Sequence, residues 1–265
     1  MTKLKSRYFV ELQKARTLAK TVTNTNRQIE DLPHTLRQYL IKAGVSEAKQ
    51  VYSVSLGWKD TFLKFSPKGK WRSMYCLQQN FLPDPIRLAY MRTTFMGLFS
   101  VEALDSFTHG EGGMKIRALN LFNIANSKGK EMDQSQLVTI LSETIIIPTY
   151  ALQRYITWEE IDAFTVKGTI SCYGITASGI FHFNTDYEPV SFESSYRYYT
   201  LPDGSFQQVK WSIAATGFSM DGTIGFPTNI AATWNFPEQD YCYFKGNLSS
   251  IKLHSLADKS TQTIS

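Results

Sequence analysis

Gln207-Gln208-Val209-Lys210-Trp211-Ser212-Ile213-Ala214-Ala215-Thr216 sets apolar and mostly polar positions in alternation. Successive side chains of a β-strand point to opposite faces. Val209, Trp211, Ile213 and Ala215 therefore share one face, and Gln208, Lys210, Ser212 and Ala214 the other. The spacing predicts a strand in a sheet with one apolar face and one wet face.

The same reading extends outward. Residues 163–173, 179–184, 190–199, 226–234 and 241–253 are strand-like and rich in aromatic and β-branched side chains, and glycine, proline or Asp/Asn turns close them. Upstream, residues 51–58, 71–79, 86–95, 99–107 and 114–122 read the same way. Their separators include Ser66-Pro67-Lys68-Gly69, Pro83-Asp84-Pro85 and Gly97. Short connections imply antiparallel neighbours. The period changes once: Asp133 and Gln136 resemble a capping box, and Leu137, Leu141, Thr144 and Ile145 form a stripe before Pro148. That predicts a helix over 133–147. About ten strands exceed what an open sheet holds without curling. The expected fold is α+β and mainly β, a curved antiparallel sheet or half-barrel of about ten strands around one central helix.

N-terminal helices precede the sheet. Tyr8, Leu12, Ala15, Ala19 and Val22 recur at helical spacing and predict a helix over 6–22 that ends in the polar run 23–26. Asp31 is placed to cap a second helix, with Pro33 in its first turn, Leu32, Leu36 and Leu40 on one face and Gly44 at its end. The chain divides into a basic arm, residues 1–28, a single sheet domain, 29–255, and a polar tail, 256–265.

Of the net charge of +5, residues 1–28 hold +6, so the rest is nearly neutral at −1. A basic arm on a neutral body suits an anionic surface. Aromatic strands also stack on nucleic-acid bases, but such sheets set basic residues among the aromatics, and no specific nucleic-acid partner is expected. Cys76, Cys172 and Cys242 lie far apart and read as small buried thiols. The first residues lack an apolar targeting segment, and no window is apolar enough to span a bilayer. The expected location is the cytoplasm, with the arm able to rest on a membrane.

Catalytic signatures are sparse. His109-Gly110-Glu111-Gly112-Gly113 could cradle an anion, but it sits between two strands, where glycine supplies the positive φ of a hairpin. Gly217-Phe218-Ser219-Met220-Asp221 lacks the last glycine of a nucleophile elbow, and Ser46-x-x-Lys49 and Ser249-x-x-Lys252 do not open a core helix. His34, His109, His182 and His254 stand singly, without metal-ligand spacing. No metal or cofactor is expected. Glu143, on the covered helix, requires a partner if buried, and Arg197 is the expected one, with Asp105 competing for it. Trp71, Tyr75, Trp158, Trp211, Trp234 and Tyr243 either fill the core or line a cavity.

Several anchors together resemble an uncharacterised, mostly bacterial family of unknown function. They are Leu32-Pro33 with Leu36-Arg37 and Tyr39-Leu40, Trp71 leading to Gln78, Asp105-x-Phe107 before Gly110-x-Gly112-x-Met114, and Leu137-x-x-x-Leu141-x-Glu143 with Pro148. Trp158-x-x-Ile161-Asp162, Arg197-Tyr198, Gly225-x-Pro227, Trp234, Tyr243-Phe244 and Ile251 continue the pattern. The family implies no activity or site residues. More loosely, a helix held in a curved sheet is similar to the lipoprotein-carrier half-barrels, which shelter acyl chains.

These readings converge on a non-enzymatic binder of a hydrophobic or lipid-like ligand, held between helix 133–147 and the concave face. The candidate ligand-binding residues are Trp71, Tyr75, Gln78, Asp105, Glu143, Arg197, Trp211 and Trp234. Two alternatives stay open: an enzyme with a polar site around Asp105, His109, Glu143 and Arg197, and a membrane-surface or scaffold protein acting through the arm.

Overall fold

The computed structural model describes residues 1–19, 26–45, 50–95 and 98–255. The expected end of the first helix in the run 23–26, its contact at Val22, the Ser46-x-x-Lys49 stretch, the turn at Gly97 and the tail 256–265 fall wholly or partly outside them. Helices α1 (Lys3–Ala19) and α2 (His34–Lys42) lead into strands β1 (Val51–Leu63), β2 (Arg72–Phe81), β3 (Ile86–Phe95), β4 (Phe99–Thr108), β5 (Glu111–Ala118) and β6 (Phe122–Lys128). Helix α3 (Lys130–Ser142) and two 3-10 turns, Glu143–Ile145 and Pro148–Leu152, follow. The second half holds β7 (Ile156–Asp162), β8 (Thr165–Cys172), β9 (Ile175–Phe183), β10 (Pro189–Ser194), β11 (Tyr198–Thr200), β12 (Phe206–Gln208), β13 (Lys210–Asp221), β14 (Ile224–Asn235) and β15 (Asp240–Ser255).

Thirteen strands form one antiparallel sheet in the order β6-β5-β4-β3-β2-β1-β15-β14-β13-β10-β9-β8-β7. Helix α3 proves that the sheet curls. It touches β4, β5 and β6 near one end and β8, β9 and β10 near the other. In a flat sheet β5 and β9 would lie nine spacings of about 4.8 Å apart, roughly 43 Å, whereas a helix is only about 10–12 Å across. The sheet must wrap the helix. Burial follows: Leu137, Val138, Ile140 and Leu141 are buried on successive faces of α3, and so are Ser135, Gln136, Thr139 and Ser142. A helix enclosed on all sides has no wet face to pattern.

The alternation of 209–215 holds, with Val209, Trp211, Ile213 and Ala215 buried. The strand count is corrected upward. Segment 114–122 belongs to a hairpin, β5 and β6, that turns at Leu119 and Asn120 with φ of 52° and 57°. Segment 156–162 is a further strand. Segment 190–199 breaks after Ser194, whose Oγ accepts from the Tyr196 amide at 3.1 Å, and the chain leaves the sheet as the two-stranded hairpin β11–β12.

The capping box is also corrected. Gly129, at φ 108°, precedes α3 without a side-chain cap. Asp133 Oδ1 instead accepts from the Gly112 amide at 2.7 Å, and Gln136 donates to Asp105. Asp31 likewise does not cap α2; it ends a short 3-10 turn, and Pro33 occupies the cap position. Gly44, at φ +67°, follows the end of α2 as its spacing predicts.

Helix α1 is docked along its length. Leu4, Tyr8, Leu12, Ala15 and Ala19 are buried in one cluster with Phe81, Ile86, Leu88, Tyr90 and Leu104 on the outer face of β2, β3 and β4. Its basic residues Lys3, Arg7, Lys14 and Arg16 remain exposed.

Candidate functional site

A cavity of about 530 Å³ lies between α3, the segment 197–201 and the inner face of the sheet. Its wall is the period-two pattern made physical: Met74, Cys76 and Gln78 on β2 face it, as do Ile230, Ala232 and Trp234 on β14. Four methionines, Met74, Met91, Met114 and Met132, contribute to the lining. Unbranched thioethers adapt to irregular shapes better than rigid branched side chains. Burial pushes the Cys76 thiol up to about 12, which keeps it protonated and unreactive.

Six of the eight sequence candidates line this cavity: Gln78, Asp105, Glu143, Arg197, Trp211 and Trp234. Two do not. Tyr75 is 51% exposed on the outer face, 6.0 Å from the Lys5 ammonium. Trp71 lies under Lys64 and Lys245, whose ammonium groups stand 4.8 and 5.2 Å from its ring. Position 75 differs in parity from 74, 76 and 78 and so faces away, and Trp71 precedes β2. Of the other aromatics, Tyr243 lines the cavity, while the Trp158 indole donates to the Ala151 carbonyl at 3.0 Å. Trp58 and Tyr199 belong to the lining but were missed.

The polar residues form a connected seam along one wall. Arg87 on β3 donates from Nε to Glu143 Oε1 at 2.7 Å and from Nη1 to Asp105 Oδ2 at 2.6 Å. Gln78 Nε2 and Asn80 Nδ2 also donate to Glu143, at 2.7 and 2.6 Å. Asn80 further donates to the Tyr150 hydroxyl at 3.0 Å, and Trp58 Nε1 donates to Gln78 Oε1 at 3.1 Å. Burial opposes the Arg87 charge, but the Glu143 and Asp105 carboxylates raise its pKa well above the ordinary arginine value. Burial pushes the Tyr150 hydroxyl up as well. The expected Glu143–Arg197 pair is thereby corrected: the cation is Arg87, and Asp105 shares it with Glu143. The missed signal was a charged residue at an inner-face position of β3, beside Ala89 and Met91.

His109 lies elsewhere. It forms a two-residue turn with Gly110, at φ of 52° and 80°, between the paired residues Thr108 and Glu111. Positive φ at both positions is the type I′ hairpin geometry. A Cβ at Gly112 would stand 2.5 Å from the Met132 carbonyl, so that glycine lets α3 close on β5. His109 shares a separate hollow with Glu11, Lys14 and Leu18 of α1. The four-residue polar site of Asp105, His109, Glu143 and Arg197 is therefore not assembled.

Arg197 is held differently from Arg87. Its guanidinium carbon stands 4.0 Å from the Trp211 ring centre and 5.2 Å from that of Trp234. Its carbonyl accepts from the Val209 amide at 3.0 Å, and the neighbouring Tyr198 amide donates to Ser135 Oγ at 2.9 Å. Nε and Nη1 are buried and have no hydrogen-bond partner among the described residues. An unmet buried donor costs roughly 1–3 kcal/mol, and more when it belongs to a charged group.

Compared with known proteins, residues 22–246 match the model of a family described as a family of unknown function, DUF6544. The chain belongs to that family. No curated protein matches it. Among solved structures it is similar to a DUF1329 family protein from Desulfovibrio piger, with TM-score 0.42, 8% identity, and 87% of this chain and 93% of that one covered. It is also similar to a domain provisionally described as an outer membrane lipoprotein-sorting protein, from Vibrio parahaemolyticus, with TM-score 0.41, 8% identity, and 89% and 95% covered. A LolA superfamily protein from Nitrosomonas europaea gives TM-score 0.37 and 12% identity, with 87% and 99% covered.

Proposed function

We propose that this member of the DUF6544 family holds a hydrophobic, lipid-like molecule in the cavity between α3 and the sheet, without transforming it. The supporting observation is a cavity of about 530 Å³ with mainly apolar walls, four of its side chains methionines, inside a sheet curled around one helix. Ligand pockets of roughly 300–1,000 Å³ are usually apolar and carry a few placed polar groups. The acids in this one are already committed. Asp105 and Glu143 accept from Arg87 and from side-chain amides, which suits a seam that fixes how α3 docks. Titration with a fluorophore-tagged acyl chain tests the reading. Saturation near one probe per chain is expected, with micromolar affinity; a signal rising linearly without saturation would count against it.

A second reading rests on the outer surface. Leu98, Leu121, Phe122 and Ile124 are 80%, 71%, 62% and 58% exposed. Their turns lie side by side, because the Leu119 amide donates to the Ser100 carbonyl at 2.8 Å. The start of α1 meets the same end, with the Lys3 amide 3.0 Å from Asn120 Oδ1. Lys3 opens α1 at this end and Arg7 follows about one turn later, and both are exposed. Exposed apolar tips beside the cationic start of α1 suit an anionic bilayer, since each Lys or Arg near such a surface contributes about 1 kcal/mol. Co-sedimentation with phosphatidylserine-containing vesicles is expected to weaken at least about thirtyfold in K3E/R7E, since losing two cations forfeits about 2 kcal/mol, and to weaken also in L121S/F122S. Equal pelleting of all three proteins, or equal pelleting with neutral vesicles, would refute this surface.

A further inference from the structure

We infer that Arg197 is the anchor for an oxyanion head, a carboxylate or a phosphate, on the hydrocarbon molecule that the cavity holds; this rests on the ligand-binding reading proposed above. Lys64, Arg87 and Arg197 are the cations of the lining, and the two arginines differ in how they are met. Arg87 is satisfied within the protein, by Glu143 and Asp105. Arg197 is not: the residue is half-buried, and its Nε and Nη1 are buried without a hydrogen-bond partner among the described residues.

Its setting is built. The guanidinium rests over Trp211 at 4.0 Å and near Trp234 at 5.2 Å, which offsets part of the cost of burying a cation. Stacking of this kind occupies a flat face and leaves the N–H bonds pointing outward from the edge. The backbone on each side is fixed by the Val209 amide and by Ser135 Oγ. A neutral, wholly apolar guest would leave the buried donors unmet. An oxyanion would accept from them, and charge-assisted hydrogen bonds are the stronger kind. The apolar remainder of the guest would lie against the methionine-bearing walls, with its head under the segment 197–201.

The test compares dodecanoate, dodecyl phosphate and dodecanol, three guests with one tail length. Each is titrated into the full chain and followed by tryptophan fluorescence, since Trp211 and Trp234 line the site. At least one anionic guest is expected to bind at least about tenfold tighter than the alcohol, the effect of one charge-assisted hydrogen bond. In R197Q that preference should vanish, and in R197K part of it should return; circular dichroism confirms that each variant is folded. Whichever of the acid and the phosphate binds tighter identifies the head. Equal binding of all three guests by the parent protein, or a preference that survives in R197Q, would overturn the anchor while leaving the apolar pocket standing. Binding of none of the three would remove the pocket reading, and the anchor with it.

Discussion

Arg87→Leu is expected to destabilise the protein by about 3–5 kcal/mol, the cost of breaking a buried ion pair from one side. The substitution leaves Glu143 and Asp105 buried without the cation both of them touch. Equilibrium urea unfolding at pH 7 reads the loss directly. The pH dependence separates this cause from a simple packing defect. Burial favours a protonated carboxyl once its cation is gone, so the folded variant binds more protons than its unfolded chain, and its stability rises as pH falls. The deficit relative to the parent should therefore shrink from pH 7 to pH 5. In the parent, the raised pKa of Arg87 means that its contribution is fully present below the ordinary arginine range and is lost only as pH climbs through the folded value. A deficit that stays constant with pH would show that the missing side chain, not the uncompensated acids, causes the loss.

Ala232→Phe is expected to reduce acyl-probe binding at least about tenfold while leaving the melting temperature unchanged or higher. Ala232 is 3% exposed, lies on β14 between Ile230 and Trp234 on the inner face, and lines the cavity. Because Ala232 lines the cavity, a phenyl group there has space to enter, and the expected cost is below the usual overpacking cost of about 1–3 kcal/mol. The same substitution at Ala89, on the β3 side of the cavity, should act alike. Unchanged probe affinity in both variants, with folding intact, would place the probe elsewhere.

The curvature of the sheet was legible in the sequence because it follows from counting strands, and the parity of 209–215 is visible in the residues themselves. The same parity rule, applied to 71–79, already separates Tyr75 from Gln78. What spacing could not supply was partnership. Glu143 meets Gln78, Asn80 and Arg87 from two strands distant in the chain, whereas the residues alone point to Arg197, nearer the C-terminus. The α3 boundaries were misread for a related reason. Asp133 and Gln136 have the spacing of a cap, yet tertiary contacts with Gly112 and Asp105 use both side chains. In a helix surrounded by sheet the stripe of Leu137 and Leu141 also has no polar face opposite it to mark the ends, since Val138 and Ile140 are buried as well. The methionine lining was hidden because a lone methionine in each of several segments forms a surface only after the strands pair.

Native mass spectrometry of the full chain after exposure to excess single-chain amphiphile tests the occupancy of the curled sheet most directly. The expected spectrum shows one bound molecule per chain, and that mass increment is absent from the Ala232→Phe variant. A parent protein that keeps its bare mass under those conditions, or a variant that carries the same increment, would contradict a guest held between α3 and the inner wall.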